Sequence, residues 1–507
     1  MPRATPEPRH PSYWMLTSEG ASFPPFRGEA STDVVVLGAG ITGLTTALFL
    51  KRAGFRVVVL EAREVGGGIT GNTTAKLTAL HGLTYARLSD SEGAETARIY
   101  AAANLWAIGM ISELVEELDI DCQFERRPVL TYTTDSEKSE DIEREVDAAL
   151  NAGLSAELVR ESDLPFPIAA GIQLPDQASF HPLRYVLALA MAVDGDGSYV
   201  YEQTRAVDVE ENGEPITVQL EGGARVHASH VVSACGLPFL DRGGFFATAY
   251  PSRSYCVALE SDGALPESMS INAERPTLSV RPITAPGGGK LLLVAGHDHK
   301  VGQAEHTSDH YAFLEDFAHR CFPVGAVAAR WSSQDYIPVD GLPMVGRMPF
   351  SSDRLYVATG FKKWGLTTGT IAGRILTDLI EGRENSWASI FDARRTKVLD
   401  GAGEALKEQA NVAKRFVGDR IRQAAAGSPD ELPPGAGAIC KTDGEVVAAY
   451  REETGELHLL SPTCTHMGCR VTWNEAERSW DCPCHGSRFD VTGEILVGPA
   501  VAPLERR

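Results

Sequence analysis

The sequence predicts a molecule in two parts: a large α/β unit with an α+β region threaded through it, and a small all-β domain after it. Three observations predict this. An apolar strand, a helix and a second apolar strand follow one another in DVVVLGAGITGLTTALFLKRAGFRVVVLEA. Alternating segments separated by glycine turns recur through the middle of the chain. After the Pro- and Gly-rich break GSPDELPPGAGA, residues 432–507 carry only short alternating runs and many turn residues.

The chain has 507 residues, enough for more than one domain. Its 43% hydrophobic and 7% aromatic content suit ordinary packed cores. A net charge of −21 speaks against nucleic acid and anionic lipid as partners. No run reaches the roughly 18 apolar residues of a membrane helix, so no membrane span is expected. The opening MPRATPEPRHPSYWML lacks an apolar stretch followed by a small-residue cleavage site, so the expected location is cytoplasmic. Five of the nine cysteines (Cys122, Cys235, Cys256, Cys321, Cys440) are scattered singly. In a reducing compartment they read as small buried apolar residues.

Taken in order, residues 1–30 are rich in Pro and polar residues and are expected to form an arm. Residues 34–37 read as a buried strand, 42–53 as a helix ended by Gly54, and 57–60 as a second strand, which is a βαβ unit. TRAVDVEENGEPITVQLEGGARVHASHVVSACG reads as consecutive strands turning at Asn212-Gly213 and Gly222-Gly223. Residues 251–300 alternate like strands. RLYVATGF is a further strand, and GLTTGTIAGRILTDLIEG is a helix closed by Gly382. Residues 396–424 are helical and mixed in charge. The expected organisation is an arm (1–30), an oxidoreductase region (31–395), a helical linker (396–431) and a small β domain (432–507).

Gly38, Gly40 and Gly43 form G-x-G-x-x-G between strand and helix. The first Gly permits the tight turn, the second lets a pyrophosphate approach the backbone, and the third lets helix pack on strand. The helix start at Ile41 and Thr42 offers free N–H groups and a positive dipole end to phosphates. Glu61, followed by Ala62, ends the second strand, where an acid grips ribose hydroxyls. This is a dinucleotide site.

Three further stretches bear on which dinucleotide: GGGITGNTTAK, VVSACG and GLPMVG…LYVATGFKKWGLTTGTIAG. With the fingerprint they resemble the D-amino-acid oxidase-like family of FAD-dependent amine and amino-acid oxidoreductases, over about 31–395. The resemblance implies a Rossmann-like FAD-binding domain (about 31–100, 175–240 and 330–395) and an α+β substrate domain (about 101–174 and 241–329). It implies FAD contacts at the fingerprint, Glu61, Ala62, Gly71 and Thr73, and at Val207 and its neighbours for the adenine. Residues 360–368, with Gly360, Gly365, Leu366 and Thr367, would bring backbone N–H groups to the flavin ring. The dipole of the helix that follows would favour the anionic reduced flavin. The loop Asn72-Thr73-Thr74-Ala75 has no His or Cys, so the FAD is expected to be non-covalent. APGGGK (285–290) sits in a hairpin-like setting and opens no helix, so it is not a second nucleotide loop.

CTHMGC and CPCHGS gather four cysteines and two histidines between residues 464 and 487. Zinc could take two thiolates and two imidazoles. Finger-type sites pair like with like, however, and zinc would leave Cys469 and Cys484 without a role. A disulfide framework ignores both histidines. A Rieske [2Fe–2S] centre needs two thiolates on one iron and two imidazoles on the other, and C-x-H plus C-x-x-H supply them. The stretch resembles the Rieske family over 432–507. The resemblance implies Cys464 and Cys482 on one iron, His466 and His485 on the other, and a Cys469–Cys484 disulfide as in the cytochrome-complex branch. Pro499 in GPA would belong to the loop covering the cluster, and Ser487 would donate toward a sulfide. Phe489 stands where the high-potential branch has tyrosine. One donor fewer implies a middling potential within roughly −150 to +300 mV.

The substrate side gives less. Arg281 could clamp a carboxylate or serve as a structural ion pair. Strand alternation would point His297 and His299 to one face, toward the flavin or simply in a loop. Lys76 and His81 are weaker candidates. Lys362, Lys363 and Trp364 fall where the resemblance puts the flavin, with Lys363 the candidate near it. Lys407, Lys414, Arg415, Arg420 and Arg422 in 396–424 could brace the two parts, dock an acidic acceptor or simply be solvated. The expected activity takes electrons from a small amine or amino acid to FAD, then to the cluster, then to an external one-electron acceptor. Alternatives are a reductase component fed by ferredoxin or NAD(P)H, and a redox carrier or sensor with no small substrate.

Overall fold

The computed structural model describes residues 10–395 and 427–507, apart from Asp241, Pro286 and Glu305. The stretch 396–424 with its five cations lies outside the described residues, as do residues 1–9.

The first sheet grows from the βαβ unit. Strand Glu29–Leu37 runs parallel to Val57–Leu60, with Val34 beside Val57, and to Arg225–Ser233, with Val35 beside Val231. Val34, Val35 and Val36 are fully buried, as an unbroken apolar run requires in a strand covered on both faces. Tyr199–Tyr201 extends one edge; Leu355–Thr359 and Met344–Arg347 extend the other. Helix Ile41–Arg52 packs against helix Gly365–Ile380 through Gly369 and Gly373. A Cβ at Gly369 would lie 2.5 Å from Thr42 Oγ1, and one at Gly373 would lie 2.9 Å from Thr45 Cγ2. Only glycine allows this approach, and it sets the N-termini of the two helices side by side.

A second, nine-stranded sheet is mostly antiparallel. It runs in the order Val327–Pro338, Ala249–Ser261, Lys290–Lys300, Leu278–Thr284, Met269–Asn272, Glu125–Thr133, Ala170–Ser179 and Lys76–Leu77, with Glu157–Val159 on one side. APGGGK is the hairpin turn between two of these strands, and Ala285 N–H donates to Gly289 O at 2.7 Å. Strand Val327–Pro338 belongs to this sheet, although its position in sequence grouped most of it with the dinucleotide part.

The expected arm is packed from Ser12 onward. Ser12 caps the short helix Tyr13–Leu16, Trp14 is 1% exposed, and its indole N–H donates to Thr73 O at 2.7 Å. Phe23 is buried too, and its N–H donates to Glu202 at 3.0 Å. Prolines gave this segment the look of an arm; its aromatic residues bury enough apolar area to hold it down.

The C-terminal domain has a three-stranded sheet (Gly437–Thr442, Glu445–Arg451, Leu457–Leu460) and a four-stranded one (Thr472–Asn474, Ser479–Asp481, Arg488–Phe489, Ile495–Val497). It is docked on the second sheet. Ala476 N–H donates to Thr307 Oγ1 (3.0 Å), Tyr311 O–H to Glu477 (2.7 Å), and Gln334 Nε2 to Gly486 O (2.8 Å). Arg253 and Asp481, both buried, meet at 3.6 Å. Among the described residues no helix is long and apolar enough to cross a membrane.

Candidate active site and cluster site

A cavity of about 1080 Å³ opens at the carboxyl ends of the parallel strands. Gly38, Gly40, Ile41 and Thr42 line it from the fingerprint, Glu61 and Ala62 from the second strand's end, Thr73 from the loop beyond, and Gly365 and Leu366 from the later helix. Gly43 acts from behind. A Cβ there would lie 1.9 Å from the Gly38 carbonyl oxygen, so the residue lets helix pack on turn. Gly71 and Gly360 likewise shape the walls: their added Cβ atoms would strike Gly66 O (2.4 Å) and Pro338 (2.6 Å). Thr367 is buried with its hydroxyl 3.4 Å from His81. Glu61 is fixed at the strand end because Ala39 and Arg63 N–H groups each donate to its carboxylate at 2.9 Å.

Lys76, Asp298 and Asp335 of the second sheet line the cavity, and Lys362 and Lys363 meet them from the loop before helix Gly365–Ile380. Lys362 and Lys363 both have left-handed backbone (φ 52° and 69°). Lys362 N–H donates to Tyr336 O at 3.2 Å, and Lys363 N–H donates to the Asp335 carboxylate. Lys363 Nζ lies 3.3 Å from Asp298, which also meets Arg275 at 2.6 Å. Burial alone would raise the Asp298 carboxyl; Lys363 and Arg275 hold it down at about 2. Burial pushes Asp335 up to about 6; burial, and then the charge of nearby Arg281, bring Lys76 down to about 7.

In the C-terminal domain, two tight turns bring the four candidate ligands together. Gly468 N–H donates to Cys464 O (3.1 Å), and Gly486 N–H donates to Cys482 O (3.0 Å). Contact with the Cys482 thiol pulls the Cys464 thiol down to about 7, and the same contact pushes Cys482 up. The His466 and His485 rings are 5.0 Å apart. Cys469 and Cys484 form a disulfide that joins the two turns. Ser487 Oγ accepts from Ala500 N–H at 3.0 Å and also reaches Cys464; Phe489 and Pro499 are buried around the site. Two thiols and two imidazoles converging this way fit a [2Fe–2S] cluster of Cys₂His₂ ligation. Because the disulfide uses Cys469 and Cys484, the two cysteines a zinc site would leave idle have a role. The histidines differ in setting. His485 is 3% exposed, packs edge-on to Phe246 (5.6 Å), and its carbonyl accepts from Tyr336 O–H (3.3 Å). His466 is less buried, beside Met467 at 43% exposure.

A family model described as FAD dependent oxidoreductase matches residues 33–379, and one described as Rieske [2Fe-2S] domain matches 423–506. The chain belongs to the FAD-dependent oxidoreductase family, with a C-terminal Rieske domain. The whole architecture recurs in a relative: the Bacillus subtilis protein YhfW, by name a Rieske 2Fe-2S iron-sulfur protein, is 37% identical over 98% of this chain and 97% of its own length. The gamma-glutamylputrescine oxidoreductase of Escherichia coli is 24% identical over 75% of this chain and 90% of that protein. Glycine oxidase from Geobacillus kaustophilus shares the fold with a TM-score of 0.62 at 21% identity, covering 72% of this chain and 99% of that one. The oxidoreductase binds FAD, and its Rieske domain binds a [2Fe–2S] cluster. The glycine turn, the helix start behind it and the fixed Glu61 fit the dinucleotide.

Three sequence-level expectations need correction. Arg281 does not reach the oxidoreductase's cavity. It lies on the same strand face as Ser279, which does, but farther along, where the N-terminal segment covers it; its guanidinium donates to Ala75 O (2.6 Å) and sits 5.3 Å over Trp14. His297 and His299 do not both reach the cavity, although both rings pack on His310 (4.5 and 4.7 Å). A bulge at Gly296 and His297 (φ 136° and 45°) breaks the alternation. Asp298 and His299 face the cavity, while His297 turns to His310 (2.9 Å) and Phe313. Val207 is not in the wall; Arg205 and Ala206 are. Of the weaker candidates, Lys76 lines the cavity, and His81 is a buried neutral group stacked on Trp364 (4.5 Å), pushed down to about 3 by burial. Sequence reasoning missed Asp298, Asp335, Gln334 and Tyr336. Polar residues on strands gave no signal that set these four apart.

Proposed function

We propose that this oxidoreductase oxidises a small amine or amino acid and sends the electrons singly to an external one-electron acceptor. Bound FAD accepts a hydride equivalent, and a bound Rieske cluster holds one electron at a time. The observation carrying the reading is the shared wall. Tyr336 lines the cavity, and its hydroxyl meets the carbonyls of His485 (3.3 Å) and Gly498 (3.4 Å) beside the cluster site. Lys76, near 7, can hold or release a proton at neutral pH, as removal of hydrogen from an amine requires. Lys363, paired with Asp298, places a fixed cation at the same wall. Relatives named for gamma-glutamylputrescine and glycine oxidation support the substrate class. The reading keeps FAD non-covalent, since loop 72–75 has no His or Cys, and places the protein in the cytoplasm.

The test is anaerobic mixing of oxidised holoprotein with secondary amines and amino acids, then with NADH and NADPH. Flavin bleaching is followed optically and the reduced cluster by EPR. Bleaching by an amine or amino acid, followed by the cluster signal, is expected. Reduction by a nicotinamide alone would reverse the electron flow and overturn the proposal.

A further inference from the structure

The cavity does not end where the first domain ends. Arg488, Asp490, Val491, Leu496 and Pro499 of the Rieske domain line it together with the fingerprint and Glu61. Two guanidiniums of the first domain, Arg63 and Arg205, stand on this wall, and Arg63 feels the charge of Arg488 across the domain boundary. Burial depresses both Arg63 and Arg205 below their ordinary values. Arg63 and Arg205, beside a phosphate-binding glycine turn, complement an anionic dinucleotide, while Arg488 of the Rieske domain is held next to them by Asp481 (3.0 Å).

We infer that the Rieske domain is a structural part of the FAD site: it closes the dinucleotide cleft, and FAD and the docked domain hold each other in place. Cross-domain polar contacts hold this wall in place, among them those from Thr307, Tyr311, Gln334, Arg253 and Tyr336 to Ala476, Glu477, Gly486, Asp481 and His485. FAD therefore leaves faster when the Rieske domain lifts. By linkage, the free energy that docking adds to FAD binding equals what FAD adds to docking.

The experiment uses the full-length holoprotein. Val491→Asp and Leu496→Asp each place a carboxylate on a partly exposed stretch of the Rieske wall. FAD release after dilution, read from free-flavin fluorescence, is expected to quicken at least tenfold, with cluster absorption and EPR unchanged. In the wild type, stripping FAD is expected to raise amide hydrogen exchange in 488–499 as well as around the fingerprint. Release rates within twofold of wild type in variants with intact clusters would overturn the inference. So would exchange in 488–499 that ignores FAD removal, a reading that stands even where a variant loses its cluster.

Discussion

Asp298 is held by Lys363 on one side and Arg275 on the other, and its pKa follows from them. An acid whose folded pKa is about 2, against an ordinary 3.8, contributes stability that is present above pH 4. The contribution is lost as pH falls through 2. It amounts to about 2 kcal/mol. Asp298→Asn is therefore expected to be less stable than wild type by about that amount at pH 7, with the gap closing between pH 4 and 2; urea unfolding across that range measures it. At the cluster site, His466→Ser removes one of the four candidate ligands. The purified variant is expected to lack the Rieske EPR signal and to keep its FAD, since His466 is remote from the dinucleotide walls. Loss of both groups would show that the cluster keeps the Rieske wall of the FAD site in place. These ligands were legible in sequence because metal chemistry admits few donors at few spacings. Arg281 misled because its strand face was right and its distance along the strand was not, and a sequence does not show that Trp14 covers the end of that strand.

Helices Ile41–Arg52 and Gly365–Ile380 start side by side because Gly369 and Gly373 have no side chains. That packing aligns the fingerprint with the segment expected to meet the flavin. Gly373→Leu is expected to cost about 1–3 kcal/mol through overpacking and to lower FAD occupancy, read from the flavin-to-protein absorbance ratio. Stability without any change in FAD content would separate the two helices' packing from the site. The fingerprint element was readable because strand, turn and helix each impose a pattern. The bulge at Gly296 and His297 was not: a one-residue shift leaves composition untouched and reverses which side chains face in.

At the scale of the molecule, docking rests on a small number of buried polar contacts. Arg253, fully buried, faces Asp481 at 3.6 Å, and Asp481 is shared with Arg488 at 3.0 Å. Arg253→Met leaves Asp481 one partner short. The expected cost is about 3 kcal/mol, seen as protease cleavage between the domains and a larger scattering radius. An unchanged radius and cleavage pattern would mean that the remaining contacts hold the domain alone. None of this docking was legible in the sequence, because Arg253, Gln334 and Glu477 look like ordinary polar residues on strands and turns until two separately folded surfaces meet.

The cluster site has two unlike ends. His485 is wrapped by Phe246 and Tyr336, whereas His466, beside Met467, is less buried. An insulated terminal and an open one make a cable with a single socket. His466 and Met467 are not part of the cavity's lining, so this end of the cluster site is separate from the cavity.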